Sequence, residues 1–204
     1  MGFRYTVNTR DSIPLPVCSI QATQRKAEFM TIQISEEMNR LVKGFRFPAY
    51  NEIPDVGLYL EQAGKYINTC LQPLTGSELT GSMISNYVKK KIISNPVKKL
   101  YYRDQLAALF FITLAKTVTP LPNAKRLMDL AEEEFTIREV YEKLGSIFED
   151  MLKSVFLQSA EPETEEESET MRLLRHLVKT IVFKIYLDCC FAETDEESHK
   201  GEAK

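Results

Sequence analysis

Between Thr80 and Arg103 the chain carries six basic residues, Lys89, Lys90, Lys91, Lys98, Lys99 and Arg103, and no acidic one. Elsewhere its 204 residues include 20 basic and 29 acidic side chains, a net of −9. A positive island on an acidic body fits a polyanion, because lysine and arginine neutralise phosphates and release their counterions. Lys89, Lys90, Lys98, Lys99 and Arg103 are therefore the candidate phosphate contacts. Ser82, Ser85 and Asn86 precede them, spaced to share one helical face with Lys89. Small polar side chains there suit base edges in the major groove of double-stranded DNA, and the Asn86 amide suits adenine because it pairs bidentately. The plainer alternative is a solvated helix whose last lysines complement its dipole.

Other chemistry is thin. His176 lies among leucines and arginines and reads as a surface or hydrogen-bonded histidine, and His199 is in a polar tail. Cys18, Cys70, Cys189 and Cys190 match no zinc spacing and no disulfide framework. They read as small core residues of a reducing compartment. The glutamate runs 132–134 and 165–167 read as solvated faces. With no glycine-rich phosphate loop and no nucleophile elbow, the expectation is a non-enzyme without metal or cofactor.

The elements that must hold the island are helical. Glycine is scarce, at 8 residues, and the 44% apolar content falls into long periodic stretches. An all-α fold is expected, with at most a minimal two-stranded wing near 97–103. Ser35 starts a short helix that Gly44 stops. A second helix is expected to begin just before Pro54, which suits a first helical turn, and to end at Pro73. Thr80 caps a third over about 80–91. The turn "NPVKK" and Leu100-Tyr101-Tyr102 follow, then a strong helix over about 103–116. Tyr87, Leu106, Leu109, Phe110 and Ile112, on the inward stripes of these two adjacent helices, are the expected core around the turn. A shorter helix occupies "TPLPNAKRLMDLA". Thr136 and Glu139 form a capping box opening a helix over about 136–159, whose wide stripe favours a bundle core over a coiled coil. The last helix, about 170–191, is apolar nearly all round, so it must be deeply packed or shared with a partner.

"MISNYVKKKIISNP" (83–96) followed by "LYYRDQLAALFFI" (100–112) resembles the mercury-resistance-regulator (MerR) winged helix-turn-helix. Tyr87, Ile92, Ile93, Pro96, Tyr102, Leu106, Leu109 and Ile112 fall on matching positions. Ser85-Asn86 replaces the arginine expected before the helix tyrosine, Lys91 replaces the closing glycine, and the wing is cut to a few residues. A longer resemblance, over about 45–192, is to the bacterial domain of unknown function 1836, whose members are described as putative regulators. It rests on "FPAYNEIPDVGLYLEQ" (47–62) and "LTGSMISNYVKKKIISNPVKKLYYRDQLAALFFITLAK" (79–116).

The expected organisation is an N-terminal extension, partly disordered, over 1–44, and a helix-turn-helix-like DNA-binding region over 45–125. A C-terminal helical region for packing, dimerisation or effector sensing follows over 126–192, then a disordered tail over 193–204. The resemblance implies a DNA-binding transcriptional regulator; in that reading the C-terminal helices form a homodimer or sense an effector. The alternative is a protein-interaction module that keeps the winged-helix shape without binding DNA. "MGFRYTVNTRDSIPLPV" has no long apolar core, and "LAALFFITLA" is about half of the ~20 residues a membrane-spanning helix needs. The expectation is a soluble, cytoplasmic protein away from membranes.

Overall fold

The computed structural model of the chain describes residues 34–159 and 168–201. Among the described residues it is all-α, with seven helices and no strand. They are α1 (Glu36–Gly44), α2 (Leu60–Thr75), α3 (Gly81–Lys89), α4 (Arg103–Ala115), α5 (Leu121–Glu134), α6 (Ile137–Leu157) and α7 (Glu169–Gly201). A 3₁₀ turn, Tyr50–Glu52, lies between α1 and α2. The extension expected to be partly disordered lies, up to residue 33, outside the described residues, as does the glutamate run 165–167.

The axis of the fold is α4. Every residue from Gln105 to Ala115 is buried, so this helix has no solvent face along most of its length. That follows from its sequence, since "LAALFFITLA" offers water almost nothing polar. α2, α5, α6 and α7 pack around it. Tyr87, Leu106, Leu109, Phe110 and Ile112 are all buried, as their helical spacing predicts. Thr113 is the polar exception: among the described residues its buried Oγ1 has no hydrogen-bond partner.

Local signals set most boundaries. Ser35 caps α1 by accepting from the Met38 amide at 3.1 Å. The Thr136–Glu139 capping box opens α6, with Thr136 N donating to Glu139 Oε2 at 2.8 Å and Glu139 N donating to Thr136 Oγ1 at 3.3 Å. Val140, Leu144, Ile147, Phe148 and Met151 are all buried, a stripe wide enough for a bundle core and too wide for a two-stranded seam.

Both expected limits of α2 move. Pro54 does not open it, because the backbone of Leu58 is used elsewhere. Leu58 N donates to Tyr101 O at 2.9 Å and Tyr101 N to Leu58 O at 2.8 Å. That bridge holds residues before 60 out of a helix. Pro73 does not end it either: α2 continues to Thr75 and stops at Gly76, left-handed at φ 62°, whose N–H donates to Gln72 O at 2.9 Å. A proline near a helix end removes one bond, whereas the left-handed glycine turns the chain away. α7 also runs on to Gly201, past the expected start of the tail.

α5 and α7 are joined at their ends by Glu134. Its carboxylate accepts from Ser168 Oγ at 2.6 Å and Thr170 Oγ1 at 2.5 Å. Ser168 Oγ also accepts from Met171 N at 3.3 Å, in the first turn of α7. The hydroxyl bonds from Ser168 and Thr170 hold the Glu134 carboxyl below the usual range. A depressed native pKa stabilises the fold above the unfolded value, and that contribution is lost as pH falls through the native one. The thermal midpoint is expected to drop as pH is lowered from about 5 to about 3, and Glu134→Gln to flatten part of that drop. Identical pH profiles for wild type and variant would show that the carboxylate does not hold α7.

Candidate nucleic-acid interface

The basic island begins on α3, which is placed by its neighbour α2. Asn68 of α2 grips the connection between them, with Nδ2 donating to Leu79 O at 3.0 Å and Leu79 N donating to Oδ1 at 2.8 Å. Thr80 Oγ1 then accepts from Met83 N at 3.3 Å and starts α3. Ile84 and Tyr87 turn into the core. Ser82, Ser85, Asn86 and Lys89 stay exposed on the other side, as their spacing predicts. Ser82 Oγ lies 2.9 Å from Thr80 Oγ1. The side chains of Ser85 and Asn86 have no hydrogen-bond partner among the described residues.

α3 closes on Lys91. Its N–H donates to Val88 O at 2.9 Å, and Ile92 N donates to Tyr87 O at 2.8 Å. This pair of bonds is a Schellman closure, in which the left-handed residue is usually glycine. Here that residue is Lys91, at φ 56°. Buried Ile92 and Ile93 then fasten the chain to the core.

Over 97–103, where a minimal two-stranded wing is expected, no strand forms, and the backbone makes only isolated bridges, Val97 with Leu100 and Tyr101 with Leu58. Val97 and Leu100 exchange both backbone bonds, at 3.0 and 2.9 Å. The two residues between them, Lys98 and Lys99, are both left-handed, at φ 51° and 66°. Two left-handed central residues define a type I′ turn, the geometry that favours Asn-Gly. Gly57 lets this turn sit close: a Cβ there would lie 2.6 Å from Leu100 Cβ. Buried Gln105 locks the elbow at both ends. Its Nε2 donates to Ser94 O at 3.1 Å and Asn95 O at 2.8 Å, and its Oε1 accepts from Tyr102 N at 2.9 Å.

Three of the four non-glycine residues with positive φ among the described residues are thus lysines of the island. A left-handed lysine costs about 1 kcal/mol relative to a residue suited to that position. Lys91→Gly, and the double change Lys98→Asn with Lys99→Gly, are each expected to raise unfolding free energy by about 1 kcal/mol per relieved position. Denaturant unfolding reads this directly, and a loss of stability in both variants would show that the lysines sit there without strain.

All five lysines are exposed, and none forms an ion pair among the described residues. Arg103 is different. Its Nε donates to Ile53 O at 3.0 Å, its Nη2 lies 3.8 Å from Asp55 Oδ2, and its guanidinium sits 5.6 Å from the centre of the Tyr50 ring. The Tyr50 hydroxyl donates to Asp104, and burial together with that bond pushes the phenol up to about 12. Lys89, Lys90, Lys98 and Lys99 are displayed to solvent, while Arg103 fastens the start of α4 to the chain before α2.

One feature of the surface had no signal in the sequence. Val56, Tyr59, Val97 and Tyr102 are 73%, 59%, 57% and 38% exposed. They lie on the two segments that the Leu58–Tyr101 bridge joins, beside the lysine turn. Among the described residues no group of three or more His, Cys, Asp or Glu is placed to hold a metal ion. No helix among them is long and apolar enough to cross a membrane.

A family model described as "Domain of unknown function (DUF1836)" matches residues 48–150, which span α2 to α5 and most of α6. No curated protein and no solved structure matches the chain.

Proposed function

The chain belongs to the family of domains of unknown function DUF1836, and from that premise we propose that it is a DNA-binding transcriptional regulator. In this reading α2, its connection and α3 act as a MerR-like helix-turn-helix, and the Val97–Leu100 turn acts as a minimal wing. The observation that carries it is the set of lysines at the end of α3 and at the tip of the turn, exposed and without an ion pair among the described residues, on a chain whose net charge is −3. Exposed cations that lie close together in the sequence of an otherwise acidic chain, with no ion pair among the described residues, attract a polyanion. Ser85 and Asn86 leave their hydrogen-bonding groups available on the same helix, where they meet base edges.

The test is fluorescence anisotropy of the full chain with random-sequence duplex DNA over a salt series. The logarithm of affinity is expected to fall linearly with the logarithm of salt concentration. Absence of binding at low salt would overturn the reading. The second reading, a protein-interaction module on the same scaffold, is favoured by the exposed Val56, Tyr59, Val97 and Tyr102, which suit the apolar centre of a protein contact. It predicts no duplex binding at any salt, with those four side chains at the contact.

A further inference from the structure

A cleft of about 620 Å³ opens behind the elbow, between the segment 91–95, α4, α5 and the corner where α5 meets α6. That is the volume of a small-molecule site. Val88, Ile92 and Ile93 form one apolar wall. Ala108 of α4, Met128 of α5, and Phe135 and Ile137 at the corner form the other. Lys125, Met128 and Glu132 stand three and four residues apart, so one face of α5 turns to the cleft.

Most polar groups around these walls are already engaged. Gln105 holds the carbonyls of Ser94 and Asn95 and the amide of Tyr102. Thr136 Oγ1 belongs to the α6 capping box. Asp104 accepts from the Tyr50 hydroxyl, and Lys125 Nζ donates to Asp129. Glu132 is different: its carboxylate has no hydrogen bond and no ion pair among the described residues. It is open to solvent at the rim, yet partial desolvation, with Asp129 adding to it and Lys125 opposing it, holds the carboxyl above the usual range. With Lys125 answered by Asp129, the charges left around the cleft are Asp104 and Glu132 against Lys91, a net of −1. A partly desolvated carboxylate beside apolar walls is matched by an ammonium on an apolar body. The charge-assisted bond offsets the lost hydration, and the body covers the walls.

We propose that this cleft binds a small primary amine with an aromatic or aliphatic body, its ammonium on Glu132 and its body between Ile92 and Ile93 on one side and Met128 and Phe135 on the other. The occupant ties the segment 91–95, which leads into the lysine turn, to α5 and the start of α6. The site stands whether or not the elbow grips DNA, since it uses none of Lys89, Lys90, Lys98 and Lys99.

The full chain, isotope-labelled at its isoleucine and methionine methyl groups, is titrated with three probes of similar shape: phenethylamine, phenethyl alcohol and hydrocinnamate. Saturable shifts are expected at Ile92, Ile93, Met128 and Ile137. The amine is expected to bind about fivefold more tightly than the alcohol, with the acid weakest. Glu132→Gln is expected to bring the amine to the level of the alcohol, and Glu133→Gln, which lies outside the cleft, to leave it as in the wild type. In the bound chain the N–H groups of Lys91 and Ile92 are expected to exchange more slowly, because their bonds to Val88 O and Tyr87 O close α3 at the cleft wall. No saturable shift at those methyl groups with any probe would overturn the site. The alcohol or the acid binding as tightly as the amine would overturn the ligand class, and a Glu132→Gln chain that binds the amine like the wild type would overturn the role of Glu132. Unchanged exchange at Lys91 and Ile92 would overturn the tie to the elbow.

Discussion

Truncating Phe110 to alanine is expected to cost about 3–5 kcal/mol of unfolding free energy. The side chain is fully buried at the middle of α4. Its ring lies 5.3 Å from that of Phe47, 5.9 Å from Tyr66 and 5.5 Å from Tyr141, centroid to centroid, so it joins the chain before α2, α2 itself and α6 at one point. Removing the ring deletes its transfer free energy, leaves a cavity and forfeits three contacts between aromatics, two of them edge-to-face and the one with Phe47 tilted. The surroundings have little freedom to collapse, because Tyr141 is held by its hydroxyl donating to Pro48 O at 2.8 Å and the amide of Phe47 donates to Glu149 Oε1 at 2.8 Å. Leu109→Ala, at an equally buried aliphatic position, is expected to cost about 2–5 kcal/mol. Either loss is a large fraction of the 5–15 kcal/mol typical of a domain. Urea unfolding should show a lower midpoint at an unchanged slope. A loss under about 1 kcal/mol for Phe110→Ala would mean that these rings do not form a packed unit.

How much of this was legible in the sequence depended on the range of the cause. Thr80, and the Thr136–Glu139 pair, act within three residues, and the helices they open start where the sequence places them. The inward stripe of α3 and the buried run of α4 follow from periodicity and composition, which are equally local. The start of α2 was not legible. Leu58 and Tyr59 share the helical spacing of Tyr66 and Cys70, and only the bridge to Tyr101, 43 residues on, removes them from the helix. Arg103 counted as one more cation of the island until its contacts with Ile53 and Asp55 set it apart. Gln105 is polar in sequence and buried in the fold, because the carbonyls of Ser94 and Asn95 come to it from the preceding turn. Nothing in "VKKL" announces a type I′ turn, since lysine has no preference for left-handed backbone. The turn is imposed by its flanks, which are held by Gln105 on both sides and by the Leu58–Tyr101 bridge. The apolar nature of α7 was legible, but which of its faces the fold covers was not, because that depends on where α4, α5 and α6 lie.

Neutralising Lys89, Lys90, Lys98 and Lys99 together is expected to lower the salt slope of duplex binding by about 3–4, close to one released counterion per lysine. The loss should be similar for all sequences, because phosphate contacts carry no sequence information. The fold should survive, since all four side chains are exposed and unpaired among the described residues. Replacing Lys98 and Lys99 by Asn and Gly separates charge from conformation still further. That variant relieves two left-handed lysines, so it is expected to bind more weakly while unfolding at higher denaturant. Asn86→Ala makes the opposite test. Its exposed amide has no hydrogen-bond partner among the described residues, so its removal leaves no buried group unsatisfied and should leave the salt slope unchanged. In sequence selection it should instead relax preference at one base position, by about 1–3 kcal/mol. Arg103→Ala belongs to neither class: its guanidinium is held by Ile53 O and Tyr50, so its effect should fall on stability before affinity. If the four-lysine variant binds duplex with unchanged affinity and slope, the elbow is not the phosphate-binding surface, and the exposed Val56, Tyr59, Val97 and Tyr102 beside it become the residues to test against a protein partner.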